Sequence, residues 1–124
     1  MEVKWFNAKD KEGVASFYLT NIDLNIVASV PFQYAYRVQV GIDDKGNIII
    51  KPYNKARVDS GELDEYALYK LSINKSYTRI SSTDLMKNIS GCLGISLDKK
   101  VPVKFNTRWD DNENVLIVLT GKEN

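Results

Sequence analysis

The sequence predicts a mainly β fold of α+β type. It reads as a small pseudo-twofold β-barrel made of two ββαββ halves, each with one short helix. Three observations predict it. Apolar residues alternate with polar ones along most of the chain, the pattern of half-buried strands. Helical spacing interrupts that alternation twice. The order of periods in residues 1–53 then recurs in residues 66–124.

Taken in order, Glu2 to Phe6 is expected to be a strand, with Trp5 alternating with Val3 and facing the core. Asn7 to Gly13 is a loop of mixed charge, and Val14 to Leu19 is a second strand. Thr20 or Asn21 is placed to cap a short helix running to about Ser29. Val30-Pro31 ends it, because the proline ring pushes Val30 out of the helical region. Gln33 to Ile42 and Asn47 to Tyr53 form a hairpin around Asp43-Asp44-Lys45-Gly46, where Gly46 can take a positive φ. Asn54 to Glu65 is polar and contains Gly61, so it reads as a linker with little to bury.

Tyr66, Leu68, Leu71 and Ile73 approach alternation and predict a strand; Asn74-Lys75-Ser76 is a turn, and Tyr77 to Ile80 is the returning strand. Leu85, Met86, Ile89 and Leu93 recur at helical spacing, with Ser82, Thr83 or Asp84 as the cap and Gly91 and Gly94 near the end. Val101, Val103 and Phe105 alternate again. Pro102 requires an edge strand there, or a position that needs no ladder bond. Asp110 to Asn114 is a polar hairpin tip, and Val115 to Leu119 is apolar on both faces, as in a strand buried on both.

One constant offset, the one that sets Trp5 on Leu68, lays one half on the other. Val14 then meets Tyr77, Ile22 meets Leu85, Ile26 meets Ile89 and Val38 meets Val101. Five of the forty pairs from Val3 to Ile42 are identical, so the shared order of periods is the stronger evidence for an internal repeat. The organisation expected is one domain over residues 1–124, with a first half-barrel at 1–53, a linker at 54–65 and a second half-barrel at 66–124. Pairing the two halves would close the sheet and remove its edges.

Composition narrows the function. No apolar run reaches the ~20 residues that span a bilayer, and Met1-Glu2-Val3-Lys4 leads into Trp5-Phe6 without the long apolar core of a signal peptide. The expected setting is cytoplasmic, with no membrane partner. The lone Cys92 cannot form an intrachain disulfide and reads as a buried structural thiol on the core side of its helix. The chain has no histidine, which excludes Ser-His and Cys-His nucleophilic systems and most transition-metal sites. Asp110, Asp111 and Glu113 lack the ligand alternation of an EF-hand calcium loop and read as a solvated tip. We therefore expect no enzyme, no catalytic residue, no metal and no cofactor. A net charge of +1 means that any binding to nucleic acid must rely on clustered cations.

In the second half, Tyr77-Thr78-Arg79-Ile80-Ser81, the helical stretch Ser82 to Leu93, Leu93-Gly94-Ile95, and Leu97-Asp98-Lys99-Lys100-Val101-Pro102-Val103 resemble the swapped-hairpin barrel of AbrB-type and MazE-type proteins. The resemblance covers the chain from about Ala67 onward, and in the first half Val30-Pro31-Phe32 stands where Leu-Gly-Ile is expected. Ser76 replaces the loop glycine of that pattern, and Ser81 replaces the proline after the isoleucine. Two copies in one chain look like the MraZ arrangement, so the resemblance implies a monomeric pseudo-dimer or a homodimer. It also implies a DNA-binding transcriptional regulator that contacts duplex DNA through the first hairpin of each half. The candidate contacts are Lys70, Asn74, Lys75 and Arg79 in the second half and Lys4, Lys9 and Lys11 in the first. The alternative is a non-enzymatic protein-interaction module, antitoxin-like or an adaptor, that meets a protein partner through a sheet edge and Trp109. Tyr34 and Tyr36 beside Arg37 are rings that could stack on a base, though strand aromatics usually pack.

Overall fold

The computed structural model describes residues 1–6 and 12–121. Its strands are β1 (Val14–Phe17), β2 (Asn21–Asn25), β3 (Arg37–Ile42), β4 (Ile48–Tyr53), β5 (Leu71–Ile73), β6 (Tyr77–Ser81), β7 (Val103–Asp110) and β8 (Val115–Val118). They hydrogen-bond in the order β3-β4-β8-β7-β1-β2-β6-β5, and every pairing is antiparallel. Tyr69, just before β5, exchanges two main-chain bonds of 2.8 and 3.0 Å with Val38 of β3. That bridge brings the two outer strands together and nearly closes a barrel, which leaves little free edge for a stray strand to pair with.

Alternation decides which side chains fill it. Ala15, Phe17, Ile22, Leu24, Val38, Ile48, Ile50, Ile80, Leu116 and Val118 are buried inside, and outside β8 their outward neighbours are polar or only partly covered. Phe17 meets Phe105 at 5.2 Å between ring centroids, a tilted contact between β1 and β7. All four residues of β8 are buried, as its uninterrupted apolar run predicts. Pro102 lies just before β7, an interior strand, so it breaks no ladder bond.

Among the described residues, three short α-helices complete the fold: α1 (Ile26–Ser29), α2 (Lys55–Asp59) and α3 (Thr83–Leu93). Ser82 caps α3 by accepting from the Leu85 N–H at 3.1 Å, and Gly94 ends it in the left-handed region at φ 65°. Leu85, Met86 and Ile89 point into the core, each burial contributing roughly 1.5–3 kcal/mol. Of Ser82, Thr83 and Asp84, it is Ser82 that caps the helix.

The structure corrects several expectations. Glu2 to Phe6 forms no strand, and Trp5 is 78 % and Phe6 91 % exposed, so Trp5 is not a core residue. Asn21 to Asn25 is strand rather than helix, because Ile22 and Leu24 alternate into the barrel and β2 pairs on both sides. The α-helix is delayed to Ile26 and is one turn long, capped by Asn25, whose Oδ1 accepts from the Ala28 N–H at 3.0 Å; Val30 stays in the right-handed helical region, and Val30–Phe32 continues as a 3-10 turn through Pro31. Only Leu71–Ile73 of the stretch after Tyr66 is strand; Glu65–Ala67 is a turn of 3-10 helix, and Tyr66 is fully exposed. Cys92 is exposed, off the buried stripe of α3. The residues read as linker carry α2, whose Val58 is buried.

A last correction concerns register. Setting Trp5 on Leu68 also sets Ile22, in a strand, on Leu85, in a helix. The ladders give a different match. Ala15–Leu24, Ser16–Asp23 and Phe17–Ile22 pair across β1 and β2, and Leu71–Ile80, Ser72–Arg79 and Ile73–Thr78 pair across β5 and β6. One displacement, that from Asp23 to Arg79, carries each residue of the first set onto its counterpart in the second, on both strands.

Candidate nucleic-acid interface

The β5–β6 hairpin turns through Asn74, Lys75 and Ser76, closed by the Asn74 N–H donating to the Tyr77 carbonyl at 2.9 Å. The Asn74 side-chain amide folds back toward Ser72, 3.4 Å from its hydroxyl. Lys70 and Lys75 are exposed at the foot and tip of this hairpin. Three candidate contacts, Lys70, Asn74 and Lys75, therefore share one short element.

Arg79 sits on the same strand, facing outward, but its guanidinium is engaged. Nε donates to Asp23 Oδ1 at 2.7 Å and a terminal nitrogen to Asp23 Oδ2 at 2.9 Å. Asn21 braces the carboxylate by donating to Oδ1 at 2.9 Å, and the Tyr77 ring lies 5.2 Å from the guanidinium carbon. The hydrogen bonds to Asp23 hold Arg79 charged well above the ordinary arginine range. This two-pronged geometry is the strongest available to an arginine and leaves Arg79 little freedom to reach a base.

In the first hairpin, the turn that matches Asn74–Ser76 is Tyr18-Leu19-Thr20, which carries no cation. Lys4 is exposed in the stretch before β1, outside any strand or helix. Lys9 and Lys11 lie outside the described residues. Trp109, the alternative's anchor, is half-buried: its ring meets Phe32 edge-on at 6.3 Å, and its indole N–H donates to Asp111 at 2.7 Å. Asp110 turns the hairpin tip by accepting from the N–H groups of Asn112 and Glu113.

A second cluster escaped the sequence reading. Across β3 and β4, Arg37 stands opposite Tyr53 and Gln39 opposite Lys51, all on the outer face. Arg37 stacks 4.0 Å over the Tyr36 ring, which Lys55 approaches from α2 at 5.7 Å. Tyr36 and Arg37 are neighbours in sequence. Lys51 and Tyr53 join them only through the register that the Asp43–Gly46 turn imposes.

No family model matches the chain, and neither does any curated protein or solved structure. No helix among the described residues is long and apolar enough to cross a membrane.

Proposed function

We propose that the chain is a small AbrB-like, DNA-binding transcriptional regulator, a monomeric pseudo-dimer of two ββαββ halves that contacts duplex DNA through the β5–β6 hairpin. The observation that carries the two-half reading is the strand order. Exchanging β1–β4 with β5–β8 leaves every pairing in place: β1–β2 becomes β5–β6, β3–β4 becomes β7–β8, β1–β7 becomes the Val38–Tyr69 contact, and β2–β6 and β4–β8 map onto themselves. An ancestral homodimer with exchanged hairpins would leave this arrangement after fusion of its two chains. In the register that the ladders give, Asp23 and Arg79 are equivalent positions that also face one another. In a homodimer each would face its own copy, with like charges opposed; a fused chain can make them complementary.

Support for DNA is local. Lys70 and Lys75 lie exposed on one hairpin, two cations to meet phosphates, and Asn74 at its turn carries an amide that would leave Ser72 to reach a base edge. Because the Tyr18–Thr20 turn lacks cations, contact is one-sided and the preferred site is not palindromic. The test is fluorescence anisotropy with a mixed duplex library at two salt concentrations. Binding that falls with salt, retains a preferred sequence and weakens in Lys70→Glu with Lys75→Glu supports the regulator. Each lost phosphate contact reduces the salt slope by about 0.9. No binding at low salt overturns it.

One observation favours the second reading, a protein-interaction module. Trp5 and Phe6 are large, exposed and outside any strand or helix, a pair that a protein surface could cover. Trp109 is a weaker anchor than sequence suggests, because Phe32 and Asp111 already hold it. A stoichiometric partner lost on Trp5→Ala would favour this reading.

A further inference from the structure

We infer that the outer face of the β3–β4 hairpin, with the cleft at its Tyr53 end, binds single-stranded nucleic acid. The inference is independent of the β5–β6 hairpin. Four features of the surface carry it.

The first is charge without local neutralisation. Lys55 is paired with Asp59 at 2.7 Å, and Arg57 with Glu62. Arg37 and Lys51 have no carboxylate partner among the described residues. Both are partly exposed beside the Tyr36 and Tyr53 rings, Arg37 also donating to the Tyr36 carbonyl at 2.8 Å, and phosphates are the anions that would meet their charge along a strand.

The second is the presentation of the rings. The guanidinium of Arg37 lies close enough over Tyr36 to extend that ring by one layer, and bases stack on guanidinium planes as they do on aromatics. Tyr53 is tethered through its hydroxyl, which lies 3.0 Å from Gln39 Oε1, so its ring is held against the strand face beside Lys51. Rings fixed on a sheet can stack only on bases whose faces are free. In a duplex those faces are occupied by neighbouring bases, so this surface distinguishes single strand from duplex.

The third is the cleft of about 390 Å³ into which the face leads. Pro31, Pro52, Tyr53 and Trp109 line it together with Lys51, and the Arg57 that also lines it is paired with Glu62. It sets two aromatic rings beside Lys51, with Asn54 and Asn114 also in its lining, so a base and its phosphate would meet both a ring and a cation.

The fourth is contrast. A cleft of about 410 Å³ beside Gly46, Cys92 and Thr120 is lined by no aromatic ring, and Lys45 is its one lining cation. Concavity alone is therefore common to both places on the barrel, whereas rings with cations occur at one.

The test is binding of a fluorescent thymidine single strand of about ten nucleotides, within the usual span of such surfaces, beside a duplex of equal length. Wild-type protein is expected to bind the single strand. Tyr53→Leu should weaken that binding about tenfold with little change in salt slope, because a stack is lost. Lys51→Glu should weaken it and lower the slope by about 0.7, the loss of one phosphate contact to a single strand. Lys75→Glu should leave single-strand binding unchanged, which separates this face from the duplex-contacting hairpin. Tyr53 and Lys51 are partly exposed, and an unchanged melting temperature verifies folding of their variants. The inference is overturned by absence of single-strand binding at low salt. It is equally overturned if Tyr53→Leu binds as tightly as wild type, or if a heparin fragment competes equally well against wild type and Tyr53→Leu, since the surface is then a charge patch only.

Discussion

Asp23 and Arg79 are directly opposed across β2 and β6, and two hydrogen bonds of 2.7 and 2.9 Å join them. The pair links positions far apart in sequence on the outside of the barrel. Half-exposed ion pairs usually contribute little, and the forked geometry puts this one near the top of that range. Asp23→Asn should lower stability by about 1 kcal/mol. It should also free Arg79, so duplex affinity should rise severalfold if the β5–β6 hairpin is the DNA contact. A melting curve and an anisotropy titration on the same variant measure both; unchanged affinity would remove Arg79 from the interface.

Thr78 is fully buried, and its hydroxyl oxygen has no hydrogen-bond partner among the described residues. It points inward from β6 beside Ile80, where an apolar branched side chain would serve as well. A buried unsatisfied hydroxyl is a desolvation loss without return. Thr78→Val keeps the branched shape and removes the hydroxyl, and should raise stability by about 1 kcal/mol in urea unfolding. A lower midpoint would mean that the hydroxyl is satisfied in solution.

Gly13 lies beside β7 with its carbonyl accepting from the Thr107 N–H at 2.9 Å, so its backbone cannot withdraw. An added Cβ would stand 2.4 Å from Thr107 Oγ1 and 3.5 Å from the Ala28 methyl carbon. Gly13→Ala should therefore destabilise by about 1–3 kcal/mol. Adding Thr107→Ala should recover most of that loss, and a double-mutant cycle would expose the coupling. Additive effects would place the strain elsewhere.

Asp98 and Asp43 tie their turns as ionised groups. Asp98 accepts from the Val101 and Lys100 N–H groups at 2.8 and 2.7 Å, and Asp43 from Asn47 and Lys45 at 2.8 and 2.9 Å. Those backbone bonds hold both carboxyls below the ordinary aspartate range. A lowered folded-state value means that the stabilisation is complete above the unfolded pKa of about 3.9 and is lost as pH falls through the folded one. Replacing both with asparagine keeps an acceptor but removes the titration. The variant should lose less melting temperature than wild type between neutral pH and about pH 3. An equal loss would assign the acid sensitivity to other carboxylates.

Several elements were legible in the sequence for local reasons. Ser82 followed by the helical stripe Leu85, Met86 and Ile89 defines α3, and Gly94 stops it in a conformation that disfavours side chains. Asp43 to Gly46 sets the β3–β4 hairpin, with Gly46 at φ 85°. The apolar run of β8 announced burial on both faces. The hairpin carrying Lys70, Asn74 and Lys75 was likewise readable, because its turn residues and strand alternation lie close together in the chain.

Tertiary structure decided the rest. Ile22, Ile26 and Val30 fit helical spacing, and Ile22 with Leu24 fits a strand; only pairing with β1 and β6 on either side selects the strand. Trp5 alternates with Val3 as a core residue would, yet it is 78 % exposed among the described residues. Asp23 captures Arg79, and Tyr53 is set opposite Arg37, because the ladders bring those positions together. Periodicity reports which faces of a segment are apolar. Which segment lies across from it is a matter of long-range register, and that register made Arg79 an ion-pair partner and gathered the rings and cations of β3 and β4 onto one face.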